Sequence, residues 1–277
     1  MVYSVFTDRL GNNLFQYAAA FSIDKNVIIC VPNKSEFKNV LQYSEFFFRG
    51  SEIIDFVPDG ENVYSESAYT YTQIDPINKT NLVLKGYFQS YKYIDEGAIR
   101  NQFQFDDSFV LKLRKRHQGI LSEKFSAIHV RRGDYLKNLY KHPFCGKRYY
   151  KEAIKKLGNP DRIIIFSDDI KWCRNNLKGP NINYMENTSV MDDFYLMTVA
   201  DKIVISNSSF SYWAAFLNEK KSKVIVPSLW FGFRHKVDTT DLIPKEWTVL
   251  RNNYSIFGLI RAIYQFLRDS IHHRLVK

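Results

Sequence analysis

The stretch Ala127-Ile128-His129-Val130-Arg131-Arg132-Gly133-Asp134-Tyr135 decides how this chain reads. Ala127–Val130 is short and apolar and ends on a β-branched residue, the pattern of a buried strand. It runs directly into a polar loop, Arg131–Tyr135. Beyond the loop, Tyr150, Ala153, Ile154 and Leu157 fall at i, i+3, i+4 and i+7, one face of a helix, and Asn159-Pro160 stops it. The same alternation continues downstream. Arg162–Phe166 reads as a buried strand, Asp169–Leu177 as a short helix, Asp192–Ala200 as a helix and Lys202–Ile205 as a strand. Phe210, Trp213, Ala214 and Leu217 repeat the helical spacing, and Lys223–Val226 is a further strand closed by Pro227. Strands alternating with helices of this length imply a parallel, doubly wound sheet.

The first half opens the same way. Val2–Phe6 reads as a strand, Asn12-Asn13 as a cap for a helix whose face is Leu14, Tyr17, Ala18 and Phe21, and Val27–Val31 as the next strand. After Pro32 the pattern blurs until Asn81–Leu84. The expected architecture is therefore α/β, with two Rossmann-like domains facing a cleft, the first smaller and irregular. The expected divisions are 1–120, 121–250 and a tail at 251–277, with the join near Gly119. A ligand is expected at the carboxyl ends of the strands.

Composition agrees with a globular α/β chain: 277 residues, 45% hydrophobic and 25% charged. No apolar run approaches the about 20 residues that span a bilayer, and no basic region followed by an apolar core marks a signal peptide. Cys30, Cys145 and Cys173 are odd in number and far apart, which suggests a reducing compartment. The net charge of +10 fits either a scattered, solubilising surface or an anionic partner: nucleic acid, anionic lipid or a phosphorylated small molecule. The sequence has no familiar nucleic-acid motif, which sets nucleic acid aside. In the tail, Ile256, Ile260, Ile263 and Leu267 line one side of a helix, with Arg261, Gln265, Arg268 and His272 on another. Such a basic amphipathic helix either closes the fold by packing on the domains or lies against a membrane surface or a partner.

Gly-x-Gly-x-x-Gly, the P-loop pattern, His-Glu-x-x-His and Gly-x-Ser-x-Gly are all absent from the sequence. So is Asp-x-Asp, a pattern that holds a divalent metal on a diphosphate. Three polar clusters remain, each following an expected strand. In His129–Tyr135, an arginine fork can grip phosphate oxygens bidentately, Gly133 lets the backbone turn, and Asp134 can fix an arginine. Asn207-Ser208-Ser209-Phe210 opens a helix, where free N–H groups and the dipole favour an anion; simple capping by one serine is the plain alternative. In Ser167-Asp168-Asp169, one carboxylate can cap the next helix and the other can accept bonds from a base or ribose. Together they suggest a nucleotide diphosphate site without a metal.

These residues resemble the bacterial α-1,2-fucosyltransferases. The likeness is carried by Arg9–Ala18, Gly86–Tyr93, His129–Tyr135, Phe166–Asp169 and Asn207–Trp213, with support from Val226-Pro227, Trp230-Phe231 and Pro244–Trp247. The sequence departs from that family at Asp8, where Gly is usual, and at Asn13, where Gln is usual. The resemblance implies a GT-B-like fold, a GDP-L-fucose donor, a galactoside acceptor, inversion at the fucose anomeric carbon and no required metal. It also implies cell-surface polysaccharide assembly on the cytoplasmic side. Under it, Arg131 clamps the β-phosphate with Arg132 as neighbour, and Asp134 joins them in the catalytic group. His129 and Asp168 contact guanine and ribose, while Asn207, Ser208, Ser209 and Phe210 meet the diphosphate. Arg9, Gly11, Asn12 and Gln16 close the cleft from the first domain near the fucose. Asp8 and Asp134 are the candidates for accepting the acceptor's proton.

Overall fold

The structure is a computed structural model and describes residues 1–59, 62–74, 81–220, 222–234 and 237–275, with 272–275 as backbone. The chain forms two compact units. One is Met1–Arg116 with Val237–Pro244; the other is His117–Lys236 with Lys245–Lys277. The short return of 237–244 to the first unit has no composition signal in the sequence.

The first unit runs β1 (Val2–Val5), α1 (Leu10–Ile23), β2 (Val27–Cys30), α2 (Lys34–Phe47), β3 (Glu52–Ile54), β4 (Val63–Ser65), β5 (Leu82–Lys85), α3 (Glu96–Gln102) and α4 (Asp107–Arg116). Its sheet has the order β3-β2-β1-β5-β4, and every pair is parallel. β3 and β4 are three-residue strands with no fully buried side chain, so no apolar run announces them. Many of the chain's 22 phenylalanines have a structural role here. Tyr17, Phe48 and Phe103 pack as one aromatic layer, with Tyr17–Phe48 centroids 5.1 Å apart and Tyr17–Phe103 at 5.7 Å.

Helix α1 begins earlier than its asparagines suggest. Asp8 takes φ +67°, a left-handed turn normally suited to glycine, and Arg9 follows as the N-cap. The Arg9 carbonyl accepts the first helical bonds from Asn12 and Asn13. Asn13 is thus inside the helix, buried, with its amide donating to the Thr7 carbonyl at 2.9 Å and to Gln16 Oε1 at 3.1 Å.

The second unit runs α5 (Gln118–Leu121), β6 (Ser126–Val130), α6 (Lys147–Lys156), β7 (Ile163–Ser167), α7 (Ile170–Asn176), β8 (Ile182–Tyr184), α8 (Val190–Thr198), β9 (Lys202–Val204), α9 (Ser209–Phe216), β10 (Lys223–Pro227), β11 (Thr248–Leu250) and α10 (Ile256–Leu275). The strands lie in the order β8-β7-β6-β9-β10-β11, all parallel. β6 and β7 are central and covered on both faces, which is why they read as continuous apolar runs. β8 and β11 are short edge strands, half exposed, and escape the sequence reading.

Helix α10 packs on this unit, but not through its apolar stripe. Ala262 and Gln265 are the buried positions. Gln265 accepts from the Leu139 amide and donates to the Leu136 carbonyl, both at 2.9 Å, and the Tyr140 hydroxyl donates to Asp269 at 2.8 Å. The segment 136–140 offers unpaired backbone groups, and polar side chains reach them where leucines could not. The side chain of His272, assigned above to the polar side, lies outside the described ones.

Candidate nucleotide-sugar site

In the second sheet the strand order reverses between β6 and β9, so the loops leaving these two strands flank a crevice at their carboxyl ends. The loop after β6 is Arg131–Tyr135, and the loop after β9 leads through Ser206–Ser208 into α9. Two hydrogen bonds tie the loops together. His129 Nδ1 and Ser206 Oγ lie 2.9 Å apart, and the Tyr135 hydroxyl donates to the Asn207 carbonyl at 2.8 Å.

Arg131 is held from two sides. Its Nη1 pairs with Asp168 Oδ2 at 3.0 Å and its Nη2 donates to Asp134 Oδ1 at 2.6 Å, with the guanidinium 5.6 Å from the Tyr135 ring. Asp134 therefore orients Arg131. Asp168 does more: its two oxygens also accept the backbone N–H groups of Arg132 at 2.9 Å and Gly133 at 3.1 Å. This close approach requires glycine, because a Cβ at 133 would sit 2.7 Å from Asp168 Oδ2. Beside the base or ribose contact expected of it, Asp168 thus has a structural task. Its lone pairs clamp the arginine loop, while its neighbour Asp169 caps α7 by accepting from the Trp172 amide at 3.0 Å.

Arg132 points the other way. It is buried, with its guanidinium 4.4 Å from the Phe144 ring and 4.2 Å from the Trp172 ring, and its Nε donates to Asp169 at 3.1 Å. That packing makes it a structural group of the loop, in contrast to the catalytic role expected for it. Asn207 is likewise committed. Its amide donates to the carbonyls of Pro143 at 2.7 Å and Trp230 at 2.9 Å, so its side chain staples three segments and has no donor left for a diphosphate.

Ser208 occupies the N-cap of α9, yet its hydroxyl makes no capping bond. The first helical amide bond is Tyr212 N–H to the Ser208 carbonyl, so the amides of the first turn, Ser209 to Ser211, have no partner within the helix. Their direction and the dipole suit an anion. His129 is buried beside Phe210, with ring centroids 5.7 Å apart. Burial first, and the Arg131 charge second, push its imidazole down to about 3, so it is neutral near pH 7.

The first unit carries its own polar cluster at the carboxyl ends of β1 and β5. Asp8 accepts from the Tyr87 hydroxyl at 2.6 Å and from the Asn12 amide at 3.4 Å, and Gln89 donates to Asn12 Oδ1 at 2.9 Å. Arg9 is exposed at the start of α1. Gly11 is buried within α1. Gln16 is fully buried and saturated: Oε1 accepts from the Thr7 amide and Asn13, and Nε2 donates to Thr7 Oγ1 at 3.0 Å and the Gly86 carbonyl at 2.9 Å. Gln16 therefore locks the β1 and β5 loops together; the expected sugar contact is not available to it. Tyr87 and its stacked neighbour Tyr69, 6.3 Å away, belong to this cluster and were not read from the sequence. Tyr87 lies in the Gly86–Tyr93 stretch that carries the family likeness but was given no role there, and Tyr69 had no signal in the sequence.

Among the described residues no group of three or more His, Cys, Asp or Glu is placed to hold a metal ion. No described helix is long and apolar enough to cross a membrane.

Residues 61–251 match Glycosyl transferase family 11. An α-1,2-colitosyltransferase of Escherichia coli is 27% identical over 277 residues, an alignment covering 86% of this chain and 94% of that protein. The O-antigen biosynthesis glycosyltransferase WbnK of Escherichia coli is 31% identical over 179 residues, 58% of this chain and 59% of WbnK. Galactoside alpha-(1,2)-fucosyltransferase 1 of Saimiri boliviensis boliviensis is 27% identical over 137 residues, 43% of this chain and 37% of its own. Among solved structures, the fucosyltransferase NodZ from Bradyrhizobium and a NodZ α-1,6-fucosyltransferase crystal soaked with GDP-fucose each give a TM-score of 0.52 at 13% identity. Each covers 78% of this chain, and 91% of the soaked chain or 92% of the other. They share its fold. The chain belongs to glycosyl transferase family 11, a fucosyltransferase-type enzyme with a GT-B-like α/β architecture.

Proposed function

We propose that this chain transfers L-fucose from GDP-β-L-fucose to the 2-hydroxyl of a galactoside, with inversion and without a metal, in cell-surface glycan synthesis at the cytoplasmic side. The observation that carries the reading is the placement of Arg131. It is held by Asp134 and Asp168 in a loop that Tyr135 bonds to the residue preceding the α9 N-cap. A fixed guanidinium beside a helix start is the equipment a departing diphosphate needs.

In the proposed reaction the acceptor oxygen attacks the anomeric carbon in line as GDP leaves. Positive charge develops on the sugar ring and negative charge on the β-phosphate. Arg131 and the amides of Ser209 and Phe210 bind that growing negative charge more strongly than the ground state, which lowers the barrier. Because the carboxylates already hold the guanidinium, little reorganisation accompanies the charge shift. Neutral His129 keeps the wall of the site uncharged while supporting Ser206. Taken by itself, the first unit's cluster of Asp8, Asn12 and Tyr87 offers hydrogen-bonding groups of the kind a sugar hydroxyl takes.

The deciding measurement is calorimetry with GDP against UDP and ADP, followed by turnover of GDP-fucose and GDP-colitose with lactose as trial acceptor in EDTA. Preferential GDP binding, chelator-resistant turnover and an inverted product anomer by NMR are expected. Equal binding of the three nucleotides, or activity lost in chelator and restored by manganese, overturns the reading. Preference for GDP-colitose corrects the sugar and leaves the site intact.

A further inference from the structure

The side of α10 that helical periodicity marks as apolar is the side left in water. Ile256, Phe257, Ile260, Tyr264, Leu267 and Ile271 project outward, from 54% exposed at Leu267 to 85% at Phe257. A contiguous apolar face of this extent is unusual on a soluble surface and marks an interaction site. The helix cannot simply roll to bury it. Its inner side is anchored by Gln265 on the backbone of 136 and 139, by Asp269 on Tyr140, and by Ala262 packed against Leu139 and Tyr140.

We propose that this face docks on an anionic bilayer surface, with α10 lying in the plane of the interface. Charge selects that occupant. Residues 251–277 hold Arg251, Arg261, Arg268, Arg274 and Lys277 against a single acid, Asp269. That acid is bonded inward by Tyr140. Arg261 and Arg268 are seven residues apart and border the apolar face; Arg261 also donates to the Leu136 carbonyl at 3.3 Å, and Arg268 pairs with Asp269 at 2.7 Å. Lys141 and Arg234 lie beside the Tyr140 ring that anchors the helix, 5.6 and 5.8 Å from its centre, and add positive charge near it. A second copy meeting this face would bring basic rim against basic rim. An anionic headgroup layer satisfies both the rim and the apolar centre, and Phe257 and Tyr264 are the aromatic types that settle at such interfaces. The proposal does not depend on the donor or acceptor assigned above.

The test is sedimentation of the full chain with vesicles of equal parts phosphatidylcholine and phosphatidylglycerol, or of phosphatidylcholine alone, across salt. Binding to the anionic vesicles only, weakening as salt rises, is expected. The double variant Ile260→Glu with Leu267→Glu should lower that binding by about tenfold or more, with melting temperature and GDP affinity unchanged, because both side chains are already in water. Arg268→Gln provides a milder second variant and should weaken anionic binding alone. Absence of binding, equal binding to both vesicles, or binding indifferent to all these changes overturns the proposal. So does light scattering that shows a dimer dissolved by the double variant while vesicles capture neither protein.

Discussion

His129 Nδ1 and Ser206 Oγ meet at 2.9 Å across the seam between β6 and β9, the two strands at which the second sheet changes direction. Both residues are buried. The bond closes the floor of the crevice beneath Arg131 and the start of α9, and the imidazole that makes it is neutral near pH 7 because it is buried beside Arg131.

That neutrality makes stability pH-dependent with a defined sign. An unfolded histidine takes up its proton near pH 6.5, whereas folded His129 resists until about 3. Between these values the unfolded state binds more protons, so stability falls as pH falls, by up to about 1.4 kcal/mol per pH unit. Asp193 acts in the opposite sense. Burial raises its carboxyl to about 6, so it favours the folded state as pH drops from about 6 toward the ordinary aspartate range. Urea midpoints from pH 7 to 4 should show a flatter acid limb for His129→Gln and a steeper one for Asp193→Asn. An acid limb unchanged in His129→Gln would rule out the neutral imidazole.

Arg131→Ala should lower kcat by about 10²–10³ while leaving the melting temperature and lactose affinity near wild type. Arg131→Lys should restore only part of this, because a point charge cannot pair with Asp134, Asp168 and a phosphate in one plane. Asp134→Asn should give a smaller loss in kcat, since it loosens the fork without removing it. Steady-state kinetics of the folded variants decides, and near-wild-type turnover in Arg131→Ala would remove the clamp.

The adjacent arginine should behave differently. Arg132→Ala leaves Asp169 without its ion pair and empties the slot between Phe144 and Trp172, so it should cost about 2–3 kcal/mol of stability. Arg132→Met fills the slot and should cost less, because the buried Nη1 has no hydrogen-bond partner to lose. Calorimetric melting separates the two, and kcat per folded molecule should stay within about threefold of wild type in both.

Gly86→Ala should be among the most damaging changes in the first unit. Its φ is +156°, and an added Cβ would sit 2.4 Å from Glu66 Cβ, where the Glu66 carboxylate holds the Tyr87 and Phe88 amides. Strain and overlap together should exceed about 3 kcal/mol, read as loss of soluble protein or of cooperative melting. A stable Gly86→Ala protein would show that the loop relaxes freely.

The sequence by itself determined the alternation of central strands and helices, the clusters that follow β6, β7 and β9, and the kinship those clusters carry. These are local signals: an apolar run of four or five residues, a helical spacing, a polar loop at a strand end. The three-residue edge strands β3, β4, β8 and β11 lack such a signal, because an edge is half wet and short. Only the tertiary structure decided which polar group remains available to a ligand. Arg131 and Arg132 are neighbours in sequence, yet one faces the crevice and the other is sandwiched by Phe144 and Trp172. Asn207 looks like a ligand contact until a segment 64 residues away takes up its side-chain donor. α10 shows the same limit. Its apolar stripe is legible from spacing alone, but which side turns inward depended on the free backbone groups of residues 136 and 139, which bond glutamine and leave the isoleucines outside. Periodicity is fixed by the chain's own repeat, whereas hydrogen-bond saturation is fixed by whatever distant segments arrive.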